Sequence, residues 1–232
     1  MPDRLPHRLQ LISFELCPYV ERSRVVLLEK SAPHEVTFID LDQKPDWFLV
    51  VSPMGRVPVL LVDGAPVFES AIINELLDEL LPEPRLLPAE PLARATARGW
   101  IVFANDALFP ASYRAGLALA SGDQAAARQP LTDLAASLDT LEARLAGGAG
   151  PYFSGPAFSL VDAAYAPFFR RWRAAESWGQ SEARLLEPRP AVLAWAAAVL
   201  DRPSVRAVEP TDFATRYRAL CAARAARARA AR

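Results

Sequence analysis

Four prolines within ten residues divide this chain into two parts with different patterns: Pro82, Pro84, Pro88 and Pro91. Proline lacks the backbone N–H and clashes with the preceding turn, so this stretch cannot be the interior of a helix. Before it, apolar runs alternate between strand-like and helix-like spacing; after it, the sequence is rich in Ala, Leu and Arg with almost no strand signal. We therefore predict a domain at 1–81, a linker at 82–91 and a second domain at 92–232.

The first part has the pattern of a small mixed sheet. We expect strands and helices in the order βαβ-ββα: strand 9–14, helix 18–30, strand 35–40, an irregular or short helical stretch 45–52, strands 57–62 and 65–68, and helix 70–80. Asp63-Gly64 between apolar runs is the strongest short hairpin signal, so the last two strands should be antiparallel. This order predicts a thioredoxin-like arrangement.

The second part is expected to be entirely helical. Helical spacing extends over five stretches: 92–120, 123–146, 159–175, 188–201 and 211–228. Ser159 with Asp162 three residues later is a variant of the capping box and predicts a helix start there. The fold class is therefore α/β plus all-α, with an N-terminal thioredoxin-like domain followed by an all-helical C-terminal domain.

Charge and cysteine content limit the partners. The net charge is −1. Only two of the 26 basic residues of the chain are lysines, so arginine-rich runs are a general feature of its composition, and the arginine-rich end, 222–232, is interpreted as a solvated helix end. No nucleic-acid partner is expected. Two cysteines, Cys17 and Cys221, form neither a disulfide framework nor a metal-ligand spacing, which favours a reducing compartment, a cytoplasmic location and no metal. The start of the chain has no apolar signal core, and no stretch approaches a membrane span, so no membrane partner is expected.

Cys17 follows the first strand and precedes Pro18, a residue suited to the first position of a helix. This places Cys17 at the N-cap, where unpaired backbone N–H groups and the helix dipole favour thiolate, and we expect a lowered thiol pKa. The competing interpretation is that a lone cysteine acts as a small buried hydrophobe.

Two further elements predict a peptide ligand. Proline at the start of a strand, as in Val57-Pro58, marks an edge or a special turn, and a cis bond there would aim the Val57 backbone groups outward to bind an extended peptide. Ser70 at the next helix start can hold a carboxylate, and Glu69 can pair with an ammonium. Lys44 could meet another carboxylate. These parts together describe a site for a small zwitterionic thiol peptide, the chemical outline of glutathione.

The sequence resembles the cytosolic glutathione transferases, and within them the cysteine-containing, omega-like class. Four motifs of the first part carry the resemblance: Cys17-Pro18-Tyr19-Val20-Glu21-Arg22, Gln43-Lys44-Pro45-Asp46-Trp47-Phe48, Ser52-Pro53-Met54-Gly55-Arg56-Val57-Pro58-Val59-Leu60 and Glu69-Ser70-Ala71-Ile72. It continues more weakly through Ser159-Leu160-Val161-Asp162 to the end of the chain. Ser52 departs from the family, which often has asparagine there.

The resemblance implies roles for individual residues. It makes Cys17 the residue that forms a mixed disulfide with glutathione, the cosubstrate. The implied glutathione-binding residues are Pro18, Tyr19, Lys44, Val57, Pro58, Glu69 and Ser70. The implied pocket for a small electrophile or a glutathione mixed disulfide has Phe213, with Phe109, Tyr113 and Tyr217 as further candidates. A homodimer is also implied.

The sequence is compatible with three functions. Val20 stands where a dithiol oxidoreductase would have its second cysteine, which favours a monothiol cycle on Cys17, with deglutathionylation or dehydroascorbate reduction implied by the resemblance. In a conventional conjugating transferase, Ser13, Tyr19 or Ser23 would instead donate a hydrogen bond to the glutathione thiolate. A third interpretation is a non-catalytic binding module with the same fold.

Overall fold

The computed structural model describes residues 7–148, 150–178 and 184–230. Its N-terminal part contains one four-stranded sheet with strand order β2-β1-β3-β4. The strands are β1 (Leu9–Ser13), β2 (His34–Phe38), β3 (Val59–Val62) and β4 (Ala65–Phe68). The helices of this part are α1 (Pro18–Glu29), α2 (Asp46–Val51) and α3 (Ser70–Leu80).

The sheet has the mixed topology expected of a thioredoxin-like fold. β1 pairs with β2 in parallel, with Leu11 opposite Val36, and with β3 in antiparallel register. Asp63 and Gly64 both have positive φ, 52° and 89°, as a type I′ turn between β3 and β4 requires. The predicted hairpin and the predicted fold class are confirmed.

The rest of the described chain is helical. It contains α4 (Pro91–Phe103), a π-helical turn (Ala104–Leu108), α5 (Phe109–Ala120), α6 (Gln124–Leu145), α7 (Leu160–Glu176), α8 (Pro190–Asp201), α9 (Pro203–Ala207) and α10 (Phe213–Ala230). The predicted capping box is present at the start of α7. No helix of the described chain is both long and apolar enough to span a membrane.

Two differences from the sequence predictions concern the helices that follow the sheet: one is interrupted, and one was not expected. The stretch predicted as one helix over 92–120 contains the π-helical turn, in which Phe109 N–H bonds Ala104 O. Pro110 has no N–H for the oxygen four residues earlier, which breaks the regular ladder at this point. Short helix α9 was not predicted. Residues 1–6, in the stretch expected to have no apolar signal core, and residues 231–232 of the arginine-rich end lie outside the described residues.

A buried ion pair joins α1, α3 and the stretch that follows α3. The Lys30 ammonium is fully buried and donates to Asp78 Oδ1 (2.5 Å), Leu81 O (2.6 Å) and Pro84 O (2.6 Å). The Asp78 carboxylate also accepts from the backbone N–H groups of Leu86 and Leu87. Because every oxygen and proton involved has a partner here, removing either charge leaves several buried groups unsatisfied.

We therefore expect Lys30→Met to lower the free energy of unfolding by about 3–5 kcal/mol, the range for breaking a buried pair from one side. Urea unfolding measures the change. The control is Arg8→Met, which removes the cation of the exposed pair Arg8–Glu35 and should cost less than about 1 kcal/mol. Equal losses for the two variants would contradict the importance of the buried pair.

Candidate active site

Cys17 lies at the N-cap of α1, as predicted. Its backbone is extended (φ −76°, ψ 124°), its N–H donates to Phe14 O (3.0 Å), and Pro18 is the first residue of the helix. The residue is half-buried, and its Sγ lies 3.8 Å from Val57 O, to which the thiol donates a long hydrogen bond. The thiol therefore sits between the start of α1 and the turn before β3.

The predicted lowering of the Cys17 pKa is wrong for this structure. Burial raises the pKa of the thiol above its ordinary value and outweighs the opposing effects. Those effects are the backbone N–H groups of Val20 and Tyr19 and the positive charges of Arg171 and Arg22, each of which favours thiolate. The N-cap argument identified forces that are present, but the cost of burying the charge depends on tertiary packing and is larger.

The Val57-Pro58 bond is cis, as the edge proline suggested. Val57 N–H donates no hydrogen bond to any residue in the described part of the chain, and Val57 O faces the Cys17 thiol. Within the described residues, Val57 therefore has a backbone donor without a partner, which is the arrangement that binding of an extended peptide requires.

Glu69 and Ser70 lie at the start of α3. Glu69 occupies the N-cap with φ 69° and ψ 113°, a backbone conformation that costs a non-glycine residue roughly 1–3 kcal/mol. Its side chain is exposed, whereas Ser70 is buried at the first helical position. The strain at Glu69 is compensated by the surrounding structure and is typical of a ligand-binding position.

A cavity of about 340 Å³ brings most of the predicted binding residues together. Tyr19, Val57, Pro58, Glu69 and Ser70 all line it. Cys17 and Pro18 are not among the lining residues; the Cys17 thiol is connected to the cavity through its contact with the oxygen of Val57, which does line it. A cavity of this size is at the lower end of the range for small-molecule sites and suits a tripeptide bound partly in the open.

Lys44 is exposed and does not line this cavity in the present conformation. Its Nζ lies over Gly55, where an added Cβ would come within 3.2 Å of the nitrogen. Gly55 has φ +59°, so its lack of a side chain serves both the turn and the approach of the lysine. The role of Lys44 toward a bound carboxylate stays a prediction.

The lining residues that were not predicted as site residues include three with charged or amide side chains: Arg56, Asn105 and Asp106. Arg56 lies within a quoted motif, but no pattern distinguished it from its neighbours. Asn105 and Asp106 come from the π-helical turn between α4 and α5. Pro110 was the available signal, because a proline inside a predicted helix interrupts its hydrogen bonds, and π-helical turns are frequent at functional sites.

The four aromatic residues expected in an electrophile pocket lie in different surroundings. Phe213 and Tyr217 are buried in a cluster with Leu16 and Cys221, and their rings are stacked. Phe109 is buried beside Tyr19, with ring centroids 5.6 Å apart. Tyr113 is exposed beneath the Arg224 guanidinium. Their role as pocket residues stays a prediction, and in this conformation only Tyr113 has a large exposed surface.

The alternative hydrogen-bond donors of a conjugating enzyme differ in access. Ser13 and Ser23 are fully buried, and neither lines the cavity. Tyr19 is half-buried and does line it; burial raises the pKa of its hydroxyl, which therefore stays protonated and able to donate. Within the described residues, no group of three or more His, Cys, Asp or Glu side chains is placed to hold a metal ion.

Comparison with known proteins decides the family. The sequence models for the glutathione S-transferase N-terminal and C-terminal domains match residues 16–80 and 123–198. Glutathione S-transferase omega-1 of Sus scrofa is 32% identical over 91% of this chain and 86% of its own length. The chain belongs to the glutathione S-transferase family. The resemblance seen in the motifs is confirmed, and members of this family are transferase enzymes.

Solved glutathione transferases have the same fold and include more than one class. Glutathione transferase Omega 3C from Trametes versicolor superposes with a TM-score of 0.76 at 32% identity, covering 89% of this chain and 91% of its own. Rice GST1, solved in complex with glutathione, superposes with a TM-score of 0.82 at 29% identity, covering 95% and 97%. Overall similarity in sequence and fold therefore does not separate the omega class from other classes, and the difference in chemistry lies in the residues of the site.

The raised pKa gives a direct prediction for Cys17. The rate at which iodoacetamide alkylates it should keep rising from pH 7 to 9, with a midpoint above about 8.5, the ordinary value for a cysteine. The sign follows from burial, which disfavours thiolate, the reactive form. A Cys221→Ala variant removes the other thiol, and mass spectrometry follows the adduct. A rate that is already constant at pH 7 would show that the thiol is acidic.

Proposed function

We propose that this transferase uses Cys17 for glutathione-dependent thiol–disulfide exchange, the reaction of an omega-like glutathione transferase. The supporting observation is the placement of one half-buried thiol at the start of α1, 3.8 Å from Val57 O on the edge of the cavity. A cysteine at this position can form a covalent bond to the sulfur of a bound glutathione, which a hydroxyl cannot do.

The cycle needs one cysteine. The Cys17 thiolate attacks the glutathione sulfur of a mixed disulfide; the Cys17–glutathione disulfide forms, the old S–S bond breaks, and the released thiolate takes a proton from water. A second glutathione thiolate then attacks the glutathione sulfur on Cys17, which restores the Cys17 thiolate and releases oxidised glutathione. Deglutathionylation is the direct form of this reaction, and reduction of dehydroascorbate is a further expected activity.

The cavity provides partners for each end of the glutathione cosubstrate. The free Val57 N–H can pair with the peptide backbone near the cysteine. Ser70 and the N–H groups that start α3 suit the γ-glutamyl carboxylate, and the exposed Glu69 carboxylate suits the ammonium beside it. Lys44 is assigned to the glycine carboxylate, which requires its side chain to move toward the ligand. Tyr19, which lines the cavity, and Pro18, which does not, are assigned to the surroundings of the glutathione sulfur because they follow Cys17 directly in the chain.

Replacement of the nucleophile tests the cycle. Cys17→Ser should lower glutathione-dependent disulfide reduction by roughly a hundredfold or more, because a serine hydroxyl is not ionised at neutral pH and forms no disulfide. Intact mass after exposure to oxidised glutathione should show one glutathione adduct on the wild-type chain and none on this variant. Cys221→Ala, which changes a buried thiol, is the control and should behave as wild type. Full activity in Cys17→Ser would refute the mechanism.

Glutathione binding is tested separately at Glu69. Glu69→Gln should raise KM for glutathione about 10- to 100-fold, since a hydrogen bond to a charged group contributes about 1.5–3 kcal/mol. Glu79→Gln, an exposed carboxylate on the same helix that lies outside the cavity, is the matched control. An unchanged KM in Glu69→Gln, with the control also unchanged, would remove Glu69 from the site.

Conjugation of glutathione to an electrophile is the second candidate, because Tyr19 lines the cavity with a hydroxyl that stays protonated. In that case Tyr19→Phe would lose activity toward an aromatic halide while Cys17→Ser would retain it. The comparison of the two variants with both substrates separates reduction from conjugation. If the wild-type chain bound no glutathione at all, the non-catalytic module would be favoured.

We also propose a homodimer in the cytoplasm. Large apolar side chains are exposed on β4, α3 and α4: Phe68, Ile72, Leu92 and Val102. Exposed apolar area of this kind favours burial against a second copy. Light scattering on the purified protein, which gives its mass in solution, checks this assembly.

A further inference from the structure

Arg22 is a buried cation that has no assigned role in the proposed reaction. It is fully buried on α1, and none of its contacts in the described chain is a carboxylate. One terminal nitrogen donates to Asn105 Oδ1 (2.8 Å), another donates to Ala164 O (3.2 Å), and the buried Nε has no partner. A buried charge without an ion pair is unfavourable for stability, which suggests that the positive charge serves the site.

The guanidinium also lies over two aromatic rings. Its central carbon is 5.1 Å from the centre of the Tyr19 ring and 5.0 Å from that of Phe109. These distances are within the range for cation–π attraction, which becomes stronger when the cation is desolvated. The Tyr19 and Phe109 rings are themselves 5.6 Å apart, so the guanidinium and the two rings contact one another in a triangle, and Arg22 supports the position of the Tyr19 ring.

The contacts of Arg22 reach two walls of the glutathione cavity. Tyr19 lines the cavity from α1, and Asn105 lines it from the π-helical turn. Asn105 is held there by its hydrogen bond to the guanidinium, so one buried side chain fixes residues from two different parts of the chain. A planar group with several donors can do this, whereas the single ammonium of lysine cannot reproduce the same fork.

Arg22 is also one of two cations that act on the Cys17 thiol. The groups that affect this thiol come from three elements: the N–H groups of Tyr19 and Val20 and the charge of Arg22 from α1, Val57 O from the turn before β3, and Arg171 from α7. Arg171 has the larger of the two effects on the Cys17 pKa, and it shares the Glu21 carboxylate with Arg170. Arg22 has no hydrogen-bonded carboxylate among the described residues, although the Glu21 charge acts on it as well, and it is the second cation that favours thiolate.

We propose that Arg22 is a positioning residue of the glutathione site: it holds Tyr19 and Asn105 in the cavity wall, and its charge acts together with that of Arg171 to favour the Cys17 thiolate. The inference rests on the proposed function for the role of the cavity. Its electrostatic part concerns the Cys17 thiol alone and can be tested without glutathione.

Two variants separate charge from shape, each combined with Cys221→Ala so that only one thiol reacts. Arg22→Gln removes the charge, and the midpoint of Cys17 alkylation by iodoacetamide should move to higher pH, with the rate at pH 7 falling about threefold or more for each pKa unit. Arg22→Lys retains a charge but loses the fork, so the midpoint should stay within about half a unit while KM for glutathione rises about tenfold.

The control is Arg24→Gln on the same helix. Arg24 is half-buried, 3.4 Å from Val208 O and 6.0 Å from the centre of the Phe38 ring, and it does not line the cavity. The Arg24→Gln variant therefore removes an equal charge nearby and should change neither the pH midpoint of Cys17 alkylation nor KM for glutathione. This control distinguishes a specific effect of Arg22 from a general change in the charge of α1.

Each part of the proposal would be refuted by a different result. An unchanged alkylation midpoint in folded Arg22→Gln would refute the electrostatic role, whatever glutathione does. An unchanged KM in Arg22→Lys would refute the positioning role, and this variant carries the test if Arg22→Gln does not fold by circular dichroism. Failure of the wild-type chain to form a glutathione adduct would refute the proposed function instead, and the alkylation comparison would still report on Arg22.

Discussion

The position of Cys17, the proposed nucleophile, depends on one buried carboxylate, Glu21. It lies on α1 and accepts hydrogen bonds from Arg170 Nε (2.7 Å) and Arg171 (2.6 Å) on α7. Arg171 also donates to Leu16 O (2.8 Å), the carbonyl just before Cys17. The turn that presents the thiol is thereby fixed to the helical part of the chain.

The same carboxylate makes this junction sensitive to acid. Burial alone raises the pKa of Glu21, but the two arginines outweigh burial and hold it below its ordinary value, so the residue stays ionised at neutral pH. A carboxyl with a lowered folded-state pKa stabilises the fold above its unfolded pKa, and this contribution is lost as the pH falls toward the folded value. Protonation would leave Arg171 without its carboxylate partner, while Arg170 would keep only Glu209, and an uncompensated cation at a buried interface is unfavourable.

The sequence predicted the parts of this molecule that are governed by local rules. Strand alternation, the Asp63-Gly64 turn and Pro18 at a helix start each have a local physical cause, and the structure contains all three. The family motifs also led to five residues that line the cavity. The sequence could not predict the raised pKa of Cys17, because the cost of burial is determined by distant residues that pack around the sulfur. Asn105 was missed for a similar reason, since helical spacing does not reveal a π-helical register.

The C-terminal helix is attached to the rest of the chain by buried side chains that precede its arginine-rich end. Residues 226–230 are exposed, as expected for a solvated helix end, and the exposed Arg227 Nη1 lies 2.9 Å from Asp42 Oδ2. An exposed pair of this kind contributes at most about 1 kcal/mol, so it cannot by itself hold an 18-residue helix in place. The burial of Phe213, Tyr217 and Cys221 against Leu16 is the stronger attachment, since each large side chain contributes about 1.5–3 kcal/mol. Phe213 and Tyr217, two of the four aromatic residues expected to bind an electrophile, therefore anchor α10 against Leu16, and any substrate that reached these two would have to displace part of this cluster.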